Sequence, residues 1–88
     1  MSIYTMEKVL WDLHSDPEKI KHYKRDPEGF LGAYPLASDE RSLLTEQHVR
    51  EMADRGVSQM LLFVAWQDVN GGEASIPEYM KRMNTPAR

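Results

Sequence analysis

Apolar residues recur along this chain in short helical stripes, broken by clusters of Pro, Gly and small or acidic residues. Near the start, Tyr4, Val9, Leu10 and Leu13 fall on one helical face, with Trp11 on its flank beside Asp12, and the pattern stops near His14. Ser15-Asp16-Pro17-Glu18 sets a Ser three residues ahead of a Glu, with Pro in the first turn, an arrangement that occupies the free amides of a helix start. Ile20 and Tyr23 are the apolar residues of that second segment. Asp26-Pro27-Glu28 repeats the start signal, and the piece carrying Phe30, Leu31 and Tyr34 must end by Pro35, whose ring disfavours a helical Tyr34. Two starts so close together predict short helices.

Past the extended Tyr34-Pro35-Leu36, Ser38 or Asp39 can cap a turn holding Leu43 and Leu44, and Thr45 can cap a helix with Val49, Met52 and Ala53 on its apolar side. Gly56 follows Arg55 where a left-handed closing residue is wanted. Ser58 opens the most apolar stretch, residues 59–67. Its continuous run, residues 60–66, has the composition of a buried strand, but no second strand-like run exists to pair with it, so a helix buried on most sides is predicted. Asp68-Val69-Asn70-Gly71-Gly72 reads as a flexible turn. Ser75-Ile76-Pro77-Glu78 reads as another capping box, ahead of a final helix with Tyr79, Met80 and Met83, and the tail from about residue 84 is expected to fray. The expected architecture is one all-α domain over residues 1–88, a compact orthogonal bundle of about five to seven short helices. Its expected core is Leu10, Leu13, Ile20, Tyr23, Phe30, Leu31, Leu44, Val49, Met52, Leu61, Leu62 and Val64.

Composition narrows the function classes. The 88 residues are 41% hydrophobic and 28% charged, the balance of a folded globular chain. The net charge of −3 leaves no cationic excess to neutralise phosphates, which argues against nucleic acid as a partner. Cysteine is absent, which excludes disulfide scaffolds, thiolate metal sites and thiol catalysis, and suits a reducing compartment. The longest apolar run, residues 60–66, is far short of the ~20 residues a membrane helix needs. Residues 1–8 lack the basic start and apolar stretch of a signal peptide, so a soluble, cytoplasmic protein is expected.

Candidate chemistry is sparse. A metal site would want two of His14, His22 and His48 on one helical face, or a carboxylate beside them, and their spacing offers neither, so surface or capping roles are expected. Ser and Thr residues coincide with predicted caps, and Asp39-Glu40 falls in a first turn, where the helix dipole favours it. Asn70-Gly71-Gly72 lacks the Lys and the longer glycine pattern of a phosphate loop and reads as a hinge. Trp66, at the end of the most apolar helix, suits core packing and also the centre of an interface. The six Met residues read as gap-fillers, with adaptable interface surface as the alternative. The residues by themselves describe a small acidic helical module without catalytic equipment of its own.

The run His22-Tyr23-Lys24-Arg25-Asp26-Pro27-Glu28-Gly29-Phe30-Leu31, followed by Tyr34-Pro35-Leu36 and Asp39-Glu40-Arg41, resembles the small (alpha) subunit of protocatechuate 4,5-dioxygenase and related class III extradiol ring-cleavage enzymes. Gly56-Val57-Ser58-Gln59-Met60-Leu61-Leu62-Phe63, a Gly-containing turn and Pro77-Glu78-Tyr79-Met80 extend the similarity over about residues 17–83. The resemblance implies an all-helical accessory subunit that caps the active-site mouth of a larger subunit, likewise expected to hold the Fe(II) cofactor, in an alpha2beta2 assembly. It implies a catechol-type substrate at the interface, no catalytic residue in this chain, and Trp66, Asn70, Gly71 and Gly72 as substrate-pocket or subunit-interface residues. The short N-terminus and the short loop at residues 69–74 look closer to subunits acting on bulkier catechols, such as aminobiphenyl-diols, or to stand-alone relatives.

Two other classes stay open. Precursor peptides of split borosin pathways carry a leader domain similar to this small subunit, recognised by a backbone N-methyltransferase, and residues 61–65 could pass for the modified core, although a capped helix follows them. The third reading is a stand-alone interaction module.

Overall fold

The computed structural model describes residues 3–84. They form seven α-helices: α1 (Ile3–Ser15), α2 (Pro17–Arg25), α3 (Pro27–Leu31), α4 (Ser38–Thr45), α5 (Val49–Asp54), α6 (Gln59–Asn70) and α7 (Ile76–Met83), with one 3-10 turn (Gly72–Ser75) joining the last two. No strand occurs among the described residues, so the all-α expectation holds. The expected fraying of the tail concerns residues 85–88, which lie outside the described part.

The two longest helices set the frame. Near the start of α6 the Ser58 N–H donates to Glu7 Oε2 at 2.8 Å, and near its end Asp68 Oδ2 lies 2.6 Å from His14 Nδ1. Both anchors advance along α1 and α6 together, so these helices run side by side in the same direction. Residues 60–66 are helical because Ser58 supplies the local closure: its Oγ accepts the Leu61 N–H and its carbonyl accepts the Leu62 N–H. Leu62, Ala65 and Trp66 then share the buried face at the i, i+3, i+4 spacing.

Helix ends follow the predicted logic at some places and depart at others. Asp26 caps α3 by accepting the Gly29 N–H, as expected. At α2 the cap is Asp16, which accepts the Glu18 N–H, and Ser15 is instead the last residue of α1. Ser38 and Asp39 lie inside α4, whose start is closed by Glu40 reaching back to the Ala37 N–H. Thr45 ends α4 rather than capping α5, and its hydroxyl bonds back to the Ser42 carbonyl. Ser75 does the same within the 3-10 turn, donating to the Gly72 carbonyl instead of capping α7. At Thr45 and Ser75 a short hydroxyl side chain found an acceptor in its own preceding turn.

Gly56 closes α5 at φ +108°, with the Gly56 N–H on Ala53 O and the Val57 N–H on Met52 O, the paired bonds of a Schellman motif. The same pair of bonds closes α4, from Gln47 to Leu44 and from His48 to Leu43, and here the left-handed position is Gln47 at φ 57°. No glycine marks that turn in the sequence. Arg82 Nη1 donates to the carbonyls of Glu46 and Gln47, which holds the turn from the side of α7. Asp68-Val69-Asn70 is helical, not a turn, because the left-handed residue that ends α6 is Gly71 at φ +96°.

Leu10, Leu13, Tyr23, Phe30, Leu31, Leu44, Val49, Met52 and Leu62 are buried as expected. They are joined by Met6, Val9, Leu43, Val57, Ala65, Trp66 and Tyr79. Ile20 and Leu61 are only partly buried against this core, and Val64 is partly exposed away from it. The thinnest extent is 18 Å, little more than two helix layers. In so thin a bundle each helix keeps a face near water. Tyr4, which the pattern places on one face with Val9, Leu10 and Leu13, is 78% exposed, and Met60, expected within a helix buried on most sides, is 74% exposed.

Candidate functional site

The C-terminal end of α6 brings the four expected site residues together but divides them between inside and outside. Trp66 is 5% exposed, its indole N–H donates to the Ser75 carbonyl at 3.0 Å, and its ring lies 5.8 Å from that of Tyr79. The Arg82 guanidinium stands 5.2 Å above the Trp66 ring. Asn70 is exposed, and its amide N–H donates to the Trp66 carbonyl one turn back. Gly71 and Gly72 follow at φ +96° and +90°, and a methyl group on either would meet open space. Their glycines answer a backbone torsion that L side chains rarely adopt, while the room around them leaves the corner open to another surface. The indole is enclosed within this chain, so the outward-facing chemistry of the corner is the Asn70 carbonyl oxygen, the glycine backbone and the turn after it.

Behind the corner, Leu10, Leu13, Tyr23, Leu62, Trp66 and Val69 line part of an apolar cavity of about 30 Å³. That is room for one or two waters, against the ~150 Å³ of an apolar cavity that admits benzene. This cavity is too small to enclose an aromatic ring. The Tyr23 hydroxyl bordering the cavity donates to the Leu44 carbonyl at 3.0 Å, and burial pushes its phenol above the usual value.

The histidines sit on separate parts of the bundle. His22 packs edge-on against Phe30, His48 precedes α5 with Glu46 Oε1 2.8 Å from its Nε2, and His14 meets Asp68 across the seam of α1 and α6. Two of the three thus have a carboxylate beside them, contrary to the expectation from their spacing: Glu46 stands only two residues from His48 in the chain, whereas Asp68 reaches His14 through the parallel pairing of two helices. Among the described residues no group of three or more His, Asp or Glu side chains could hold a metal ion.

Asp12 is a buried carboxylate that the sequence pattern left as a flank residue. It accepts from the Tyr34 hydroxyl at 2.6 Å and from Lys8 Nζ at 3.1 Å, with Lys19 at 3.8 Å. Burial alone would raise its pKa, but the Tyr34 hydroxyl and the two ammonium groups outweigh it and hold the carboxyl below its usual value. Burial and the Asp12 carboxylate push the Tyr34 phenol well above its usual value. This cluster ties the connection after α3 to α1, and its polar groups are consumed by one another. A polar residue between Trp11 and Leu13 was the signal that could have revealed it.

Neither family models, curated proteins nor solved structures gave a match to this chain. No helix among the described residues is long and apolar enough to cross a membrane.

Proposed function

We propose that this chain is the noncatalytic small subunit of an extradiol ring-opening dioxygenase, docking by the corner after α6 onto the active-site mouth of a separate large subunit. The observation that carries the reading is that corner: the exposed last residue of α6, Asn70, and the exposed Gly71 and half-buried Gly72 after it, held on a platform fixed from within by Trp66, Ser75 and Tyr79. A rigid base under an open, side-chain-poor turn lets backbone approach a neighbouring surface closely, and Asn70 adds a polar handle. A cavity behind the corner too small for a ring suits a wall or lid rather than a container. In the assembled enzyme the iron chemistry, activation of dioxygen beside a catechol hydroxyl, belongs to the large subunit's Fe(II). This chain's part is to orient the substrate and exclude water. The borosin reading is less favoured, since residues 61–65 lie inside α6 with Leu62 and Ala65 buried, and a methyltransferase would have to unwind that helix to reach them.

Co-expression with an iron-dependent extradiol large subunit from the same genome tests the proposal. The expected result is a stoichiometric complex whose ring-opening activity on catechols needs this chain. Asn70→Ala or Gly72→Val should raise KM or weaken assembly while the partner's iron stays bound. A rise in KM alone would mean lost uniform binding, and a fall in kcat would mean the turn also positions the reacting ring. No complex, or a complex indifferent to both changes, would overturn the proposal.

A further inference from the structure

The outer side of the α1–α6 pair carries a surface unrelated to the corner after α6. On α1, Tyr4, Glu7, Trp11 and His14 form one stripe at i, i+3, i+7 and i+10, and Glu7 and His14 are the residues that touch the α6 segment. Tyr4 and Trp11 therefore border the seam on the side away from the core, where they are 78% and 52% exposed. On α6, Met60, Val64 and Asp68 follow at i+4 steps and Asp68 meets His14, so Met60 borders the same seam from the other helix. The two anchors also set the levels: at about 1.5 Å per residue, Met60 stands midway between Tyr4 and Trp11.

We infer that this strip is a homodimer interface, in which Met60 of one copy inserts between Tyr4 and Trp11 of the other. The inference does not depend on the proposed dioxygenase role. A two-fold axis along the seam lays α1 of each copy over α6 of its mate and preserves the levels, so each Met60 faces the gap between the two aromatic rings opposite. The contact is self-complementary, as an isologous interface must be, and pairs sulfur with aromatic rings.

Charge permits it even though each copy carries a net charge of −3. Along the strip Lys8 pairs with Asp12 and His14 lies against Asp68, and the Glu7 carboxylate is turned toward the Ser58 N–H of its own chain. Aromatic residues and Met are the types enriched at interface centres, where charges are depleted. The area is sufficient: Tyr4, Trp11 and Met60 supply about 400 Å² per copy, and Val64, Gln67 and the Lys8 stem bring the pair to about 1,000 Å², the threshold of a specific interface. A domain this small also buries a modest share of its surface alone, so association adds to its stability.

Analytical ultracentrifugation of the isolated full-length chain, from micromolar to near-millimolar concentration, tests the inference. The expected mass is twice the 10.2 kDa of the monomer, falling to monomer in Met60→Glu and in Trp11→Glu. Both positions are exposed, and unchanged far-ultraviolet circular dichroism should show that the variants fold. A wild-type chain that stays monomeric over the whole range, including one that associates only with a different protein, overturns the inference. So does a dimer that survives both substitutions.

Discussion

Replacing Trp66 with alanine removes the largest side chain of the buried face of α6 and three contacts at once: the bond to the Ser75 carbonyl, the Tyr79 ring and the Arg82 guanidinium. Truncating a buried Trp to Ala costs roughly 3–5 kcal/mol. Trp66→Phe keeps most of the apolar area and abandons the hydrogen bond, leaving the part-buried Ser75 carbonyl without its donor, at about 1–2 kcal/mol. The Arg82 contact adds only about 0.5–1 kcal/mol at this half-open site. A chain of 88 residues has roughly 4–13 kcal/mol of total stability at 0.05–0.15 kcal/mol per residue. Each kcal/mol lowers the melting temperature of a domain this size by roughly 4–8 °C. Thermal unfolding followed by circular dichroism should therefore show Trp66→Phe melting roughly 4–16 °C below wild type and Trp66→Ala at least ~12 °C below, or already unfolded. An alanine variant melting within a few degrees of wild type would refute the anchoring role, and Trp66 would then be free to face a partner. Because the indole is enclosed, Asn70 and Gly72 are the cleaner probes of docking at the corner.

Leu62, 1% exposed at the centre of the core, should cost ~2–5 kcal/mol as Leu62→Ala, read as a lower denaturation midpoint with an unchanged slope. The Asp12–Tyr34 pair should give stability a pH dependence at both ends. Asp12 titrates lower when folded, so its contribution is complete above the unfolded value of about 4 and is lost as pH falls below it. Tyr34 titrates higher when folded, so its contribution is complete below about 10 and is lost as pH rises beyond it. Asp12→Asn should flatten the acid limb, and Tyr34→Phe should abolish its share of the alkaline limb while leaving part of the acid limb to Lys8 and Lys19. Denaturation midpoints across pH, unchanged by either substitution, would contradict this assignment.

What the sequence determined by itself was local. Asp26 and Ser58 cap helices, and Gly56 closes one, because each acts on amides or carbonyls within a few residues of itself, whatever surrounds the turn. The helical state of residues 60–66 follows from the same local closure and from the absence of a strand to pair with. The location of the candidate corner was legible because glycines at 71 and 72 mark a left-handed stop wherever the helix lies.

Tertiary structure decided which apolar residues of each helix meet the core. Tyr4 and Met60 carry the hydrophobicity of core residues, but a bundle two layers deep cannot cover every side of α1 and α6, and the seam between them turned both outward. The same pairing brought Asp68 to His14 across 54 residues of chain. Tyr34 reached Asp12 only because the connection after α3 folds back over α1. Gln47 holds a glycine-like torsion with Arg82 bonded to its carbonyl from α7. Trp66, suited to packing first and to recognition second, was settled inside by the Ser75 carbonyl and Tyr79. A side chain's chemistry is fixed by the sequence, but its partner is set by whichever element packs beside it, and short helices of similar polarity leave that choice to the cooperative burial of the whole bundle.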